Sequence, residues 1–259
     1  MNEQILINVT PQETRVAVTE QGAVQELHVE RDSQRGIVGN VYLGRVCRVL
    51  PGMQSAFVDI GLEKDAFLYV ADVGEEVEDF DRFGGIEENG AEEAGTVANG
   101  EALPAAVEAE PPARPPLPSI DELLREGQEL VVQVTKDQIA HKGVRITTHV
   151  TLPGRSLVYM PTIDHVGVSR RIENEEERVR LRDILTALRK GPGGFIVRTA
   201  GEGRAADEFA ADKRYLARLW EQIRKRAERS GAPALLHRDL DLTLRAARDV
   251  FAQEFSVLW

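Results

Sequence analysis

The 259-residue sequence predicts an α+β protein of several domains, and three observations carry that prediction. Residues 4–73 are written in short, often alternating apolar runs, the signature of strands. From 151 onward, strand-like runs alternate with segments whose apolar residues recur at helical spacing. Between these regions, 74–118 is acidic and rich in Ala, Gly and Pro, with little apolar periodicity. A chain of this length has ample material for two or three cores.

Taken in order, "ILINV" alternates at Ile5, Ile7 and Val9, and Val16/Val18 and Leu27/Val29 continue the pattern. Turn residues at Thr10–Pro11 and Gly22 separate three antiparallel strands, too few for a domain by themselves. Strands of 38–73 follow. Beyond the acidic stretch, "SIDELLREGQELVVQV" reads as a short helix capped by Ser119, a glycine turn, and a strand from Leu130 to Val134. "GVRITTHVTL" reads as one more strand, so that 37–150 forms a single five-stranded barrel interrupted by a loop. "SLVYMP" is a strand, and Leu181, Ile184, Leu185 and Leu188 mark a helix that Gly191–Gly194 ends. "GFIVRTAGEG" runs from a strand into a glycine-rich loop, and Leu216, Leu219, Trp220 and Ile223 mark a second helix. "ALLHRD" is a strand, "LTLRAARDVFAQEF" a helix, and "SVLW" the start of a strand.

The formal charge of −11 is unevenly placed. Glu75 to Pro118 hold twelve acids and two bases, a net of −10, which leaves −1 for everything else. Such a composition does not bury enough apolar surface to offset chain entropy, so 74–118 reads as a disordered insert. A solvated spacer is the preferred reading of its role; an acidic tether that competes for the basic face is the lesser one. One cysteine excludes an internal disulfide and any multi-cysteine metal site, and Cys47 in "GRVCRVL" reads as a small buried strand residue. With no long apolar run and no signal pattern at the N-terminus, the sequence reads as cytoplasmic.

Two stretches suggest chemistry. In 44–73, Phe57 and Phe67 lie on strand signals near Arg45, Arg48 and Lys64, a combination on which bases stack and phosphates are neutralised. By residue type alone both phenylalanines would be core residues. In "IVRTAG", Arg198 and Thr199 at a strand end offer a bidentate cation and a hydroxyl, which suits a terminal phosphate; by itself such a pair reads as a solvated strand end. "SRRIE" adds guanidinium groups nearby. The five histidines show no ligand spacing, with His165 the one nearest the phosphate motif, and Asp59 and Asp65 read as turn or surface residues.

The blocks "ILINVTPQETRVAV", "RGIVGNVYLGRV", "VLPGMQSAFVDIG", "REGQELVVQVTKD", "KGVRITTHVTLPGRSLVYMP", "GVSRRIE" and "GFIVRTAGEG", in this order, resemble the N-terminal half of the ribonuclease E/G family. The resemblance covers the chain except 74–118. It implies that 37–150 is an OB-fold RNA-binding domain of the type named after ribosomal protein S-one, in which Phe57, Phe67 and Lys142 hold single-stranded RNA. It implies that 151–239 senses a 5′-monophosphate end through Arg198 and Thr199, with Gly154, Val158 and Arg170 around the pocket. Residues 1–36 and 240–259 would be two parts of an RNase H-like domain without catalysis.

The same resemblance implies an endoribonuclease acting in rRNA maturation and mRNA decay. In the family, two aspartates of a later DNase I-like domain hold Mg²⁺ for attack by water, and a cysteine zinc site joins protomers of a homo-oligomer. Both lie beyond this stretch, so the 259 residues alone are expected to bind RNA without cleaving it. The alternative is a non-catalytic RNA-binding adaptor.

Overall fold

The computed structural model describes residues 3–73, 118–138, 143–189, 191–249 and 257–258. The insert expected at 74–118 lies outside them but for Pro118, and so does Lys142. Among the described residues, three sheets and four helices make a mixed α+β architecture.

The first sheet has the order β14-β1-β2-β3, from β1 (Glu3–Val9), β2 (Glu13–Glu20), β3 (Ala23–Arg31) and β14 (Val257–Leu258), which runs parallel to β1. Gln21 and Gly22 both have positive φ, 52° and 84°, which is the two-residue turn whose twist matches a hairpin. Ile5 and Val16 are fully buried on one face beneath Ala246 of α4 (Leu242–Asp249). Glu30 secures that helix, accepting from Leu242 N and from Arg245 Nη2 at 2.5 Å.

The second sheet is the expected barrel. It comprises β4 (Val41–Leu50), β5 (Ser55–Asp59), β6 (Ala66–Tyr69), β7 (Glu129–Lys136) and β8 (Arg145–Thr147). Their order β4-β5-β6-β8-β7 closes through a β7–β4 pairing, and β6 and β8 run parallel. This is a closed five-stranded barrel consistent with an OB-fold. Val46, Ala56, Val58, Ala66, Leu68, Val132, Val134 and Ile146 fill it. Ile120 and Leu124 of the α1 region (α1, Ile120–Leu123) join the same core, and Glu122 accepts from Ser119 N as the capping reading expects.

In the third sheet, β9 (Leu152–Pro153), β10 (Leu157–Met160), β11 (Val166–Val168) and β12 (Gly194–Val197) take the order β11-β12-β10-β9. Helices α2 (Glu175–Leu188) and α3 (Ala206–Arg229) cover one face. Asn174 Oδ1 caps α2 by accepting from Glu177 N, and Leu181 and Leu185 face inward. Along α3 the fully buried residues are Phe209, Leu216 and Ile223, one every second turn, with Leu219 and Trp220 packed beside them. Among the described residues no helix is long and apolar enough to cross a membrane.

Two sequence expectations change. Cys47 is exposed, because the β4–β5 register shifts between Val46 and Arg48 and leaves Cys47 as the extra, bulged residue. The stretch "GVRITTHVTL" is two strands, β8 and β9, since Asp72 O accepts from Thr148 N and from the hydroxyls of Thr147 and Thr148, bending the chain there. "ALLHRD" forms a strand as expected, β13 (Ala234–His237), and it lies against β4 of the barrel sheet. Val41 to Leu43 presents an edge that β5 does not reach, and β13 fills it.

Candidate nucleic-acid interface

Strand alternation puts the barrel aromatics outside. Ala56 and Val58 point into the core, so Phe57 between them points out; Ala66 and Leu68 do the same for Phe67. Both rings are half-buried, correcting the core reading that residue type alone suggests. Phe57 and Phe67 are directly opposite across β5 and β6, edge to face with centroids 5.4 Å apart. Tyr69 continues the cluster at 4.5 Å from Phe67, and the Arg145 guanidinium lies 4.7 Å from the Tyr69 ring centroid. Asp72 braces Arg145, accepting from Nε at 3.1 Å and Nη2 at 2.8 Å.

Cross-strand register makes a row of this surface: Arg48 opposes Phe57, Phe57 opposes Phe67, and Phe67 opposes Arg145. Arg45, close by in sequence, instead pairs with Glu129 at 2.9 Å, which holds the Glu129 carboxyl below its usual range. Sequence reasoning missed Tyr69, Arg145 and Asp72. Tyr69 had a readable signal, two residues after Phe67 on one strand and therefore on one face; the Asp72–Arg145 pair, 73 residues apart, had none.

The second cluster forms at the end of β12. Arg198 is 8% exposed, and its Nη1 donates to Gly154 O and to Asp249 Oδ1, each at 2.6 Å. Arg248 also grips Asp249, through Nε at 2.8 Å and Nη2 at 2.7 Å. Burial pushes the Asp249 carboxyl up, but the hydrogen bond from Arg248 and the charges of both arginines outweigh it and hold it below its usual value. Two guanidiniums, Arg198 and Arg248, thus converge on the Asp249 carboxylate. Thr199 Oγ1 lies 3.3 Å from Ser169 Oγ.

The loop carrying Gly154 is held from below by α3. Asp212 accepts from the backbone N–H of Ser156 at 2.8 Å and of Leu157 at 3.0 Å. A Cβ at Gly154 would come within 2.6 Å of that carboxylate, so only glycine permits the approach. Val158 opposes Ile196 in the β10–β12 register, and Arg198 follows Ile196 by two, so Val158 and Arg198 share a sheet face. Arg170 is exposed on the turn after β11. The structure therefore brings together Arg198, Thr199, Gly154 and Val158, and adds Arg248, Asp249, Ser169 and Asp212, which sequence reasoning did not single out. His165 is partly buried, and burial lowers its pKa.

The chain leaves this cluster through a 3-10 turn, Thr199–Gly201, anchored to α2. Glu177 takes two bonds of 2.6 Å from Arg180 and one of 2.8 Å from Gly203 N, and Arg180 also donates to Arg204 O. The bonds from Arg180 lower the Glu177 pKa from 4.5 to about 2. A depressed carboxylate stabilises above its unfolded pKa and loses that contribution as pH falls through its folded one, so this anchor weakens between about pH 4.5 and 2. NMR titration of the Glu177 side-chain carboxyl is expected to give a midpoint near 2, with the Gly203 amide shift following the same curve. A midpoint above 4 would show that the anchor is absent in solution.

Residues 151–259 match the family model described as ribonuclease E/G family. The chain is 45% identical over 249 residues to ribonuclease G of Escherichia coli (strain K12), covering 96% of this chain and 45% of that protein. Against ribonuclease G of Haemophilus influenzae it is 45% identical over 246 residues, covering 95% of this chain and 45% of the relative. Ribonuclease E of Escherichia coli (strain K12) is 33% identical over 255 residues, of which this chain spans 21% of the length. The chain thus spans about half the length of the ribonuclease G relatives it matches. With nearly all of its residues aligned to ribonuclease G and residues 151–259 matched by the family model, this chain is similar to the ribonuclease E/G family.

Proposed function

We propose that these residues form the RNA-binding and 5′-monophosphate-sensing part of a ribonuclease G/E endoribonuclease that acts on single-stranded RNA in rRNA maturation and mRNA decay. The observation that carries this reading is the placement of Phe57 and Phe67 side by side on the outside of a closed barrel, with Arg48 and Arg145 at the ends of their row. Aromatic faces accept bases of any sequence, and flanking cations accept the phosphates between them. Lys142 belongs to the same proposed surface by family resemblance.

The arginine cluster at Arg198 supports the sensing role. Gly154 and Asp249 hold the Arg198 guanidinium in place, and the Thr199 hydroxyl stands beside it in sequence and near Ser169. A 5′-monophosphate brings roughly two negative charges and three acceptor oxygens to this cluster. A triphosphate brings more charge and bulk against Asp249, which disfavours it. Val158 lines the same face, and Arg170 contributes from its rim. In domain terms, 37–150 is the S-one-type OB-fold and 151–239 the sensor. Residues 1–36 with 240–259 are parts of an RNase H-like domain, a grouping that the packing of α4 on β2 and β3 supports.

Cleavage belongs to the whole protein, proposed to be a cytoplasmic homo-oligomer. The residues here do not fit the family's metals. Among the described residues no three His, Cys, Asp or Glu side chains converge as a metal site, and one cysteine cannot build a cysteine zinc site. Asp59 serves its own turn, accepting from Gly61 N at 2.8 Å. By family resemblance, Mg²⁺ and Zn²⁺ are proposed to be held by parts of the whole protein outside these residues.

Phe57→Ala tests the barrel reading. Its affinity for a single-stranded oligonucleotide, measured by fluorescence anisotropy, is expected to fall by about 1–3 kcal/mol, the worth of one base–aromatic stack. Because the ring is only half-buried, the stability loss should stay below the about 3–5 kcal/mol of a core Phe→Ala. Unchanged affinity in a folded variant would overturn the assignment of this face.

A further inference from the structure

The aromatic face does not end at the two phenylalanines. Arg145 follows Phe67 in the cross-strand row, one strand spacing of about 4.8 Å further round the barrel. Its guanidinium is positioned twice, by the Asp72 carboxylate and by the Tyr69 ring. Tyr69 is 41% exposed and the Arg145 side chain 40% exposed, so both present surface to solvent. Asp72 is largely buried, with 13% of its side chain accessible, which makes it a fixed brace rather than a competing surface charge.

Such a unit has the features of a nucleotide site. A planar guanidinium backed by a ring stacks on a base and also donates to phosphate oxygen, and prior immobilisation lowers the entropy lost when RNA binds. The spacing suits an adjoining nucleotide, because the Tyr69 and Phe67 centroids are 4.5 Å apart. We propose that Tyr69 and Arg145, braced by Asp72, form an additional nucleotide subsite that extends the Phe57–Phe67 face in single-stranded RNA binding. This rests on the reading of the barrel face as the RNA surface. The competing role for Arg145 is purely structural, neutralising Asp72.

The experiment measures binding of the full chain to 5′-hydroxyl oligouridines of increasing length by anisotropy, at several salt concentrations. Tyr69→Ala is expected to weaken binding about fivefold or more for the longer oligonucleotides and to leave the shortest binders, which occupy only Phe57 and Phe67, unchanged. Tyr69→Phe should behave as the parent. Arg145→Gln should show the same length dependence and lower the salt slope by about one phosphate contact. The double variant Arg145→Gln/Asp72→Asn, which leaves no unpaired carboxylate, should bind as Arg145→Gln does.

Loss of affinity at Phe57→Ala with no change in Tyr69→Ala at any length would remove the subsite while keeping the barrel reading. Loss in neither would remove both. A length-independent loss in Arg145→Gln, accompanied by a lower Tm and restored in the double variant, would identify Arg145 as structural and overturn the proposal.

Discussion

Arg198→Gln is expected to abolish the preference for 5′-phosphorylated over 5′-hydroxyl RNA while leaving binding of 5′-hydroxyl RNA nearly unchanged. Charge-assisted hydrogen bonds are worth about 1.5–3 kcal/mol net, so the lost discrimination should be about tenfold or more. The structure adds a second expectation. Arg198 is 8% exposed and bonds both Gly154 O and Asp249, so removing its charge also strains the fold. Deleting one partner of a buried ion pair costs about 3–5 kcal/mol when the other is stranded. Arg248 still holds Asp249 with two bonds, so the cost here should be nearer about 1–3 kcal/mol.

Those two losses separate in the double variant Arg198→Gln/Asp249→Asn. With both charges gone, its stability in denaturant should recover part of the difference, while the 5′-phosphate preference stays lost. Competition binding with RNAs that differ only at the 5′ end reads the discrimination. Equal weakening of both RNAs in a folded Arg198→Gln protein would show an ordinary backbone-contacting cation, and the sensor assignment would fall.

The largest stability effect should come from Phe209→Ala. Phe209 is fully buried where α3 meets the sheet, in one core with Leu157, Val197 and Leu216. Its ring lies under the turn that carries Thr199: a Cβ on Gly201 would reach within 3.0 Å of it. Loss of that ring should cost about 3–5 kcal/mol, transfer and cavity combined, seen as a lower urea midpoint at unchanged slope. Because the cavity opens beneath Thr199–Gly201, the folded fraction should also discriminate 5′ ends less well. A cost below about 1 kcal/mol would mean that α3 does not seat on this sheet as described.

Much of this was readable locally. Leu181/Leu185 on α2 and Leu216/Ile223 on α3 face inward at the spacing that marked them in sequence, since helical periodicity needs nothing beyond neighbours three and four residues away. The strands of the barrel were legible by composition, and the resemblance to the ribonuclease E/G family by its ordered motifs. Arg198, Thr199, Gly154 and Val158 were named from the sequence and its resemblance, and the fold gathers them around the end of β12. Lys142 falls outside the described residues.

Local pattern placed most of the strands and helices, the residues that α2 and α3 bury, and the five-stranded barrel. Tertiary structure alone decided which residues meet. A bulge turned Cys47 outward; strand pairing set Phe57 opposite Phe67; β13 paired with the edge of β4. Arg198 found Asp249 across 51 residues, and Arg145 found Asp72 across 73. The reason is physical: backbone preference and burial period act within a few residues, whereas ion pairing and register depend on which distant surfaces are brought together out of water.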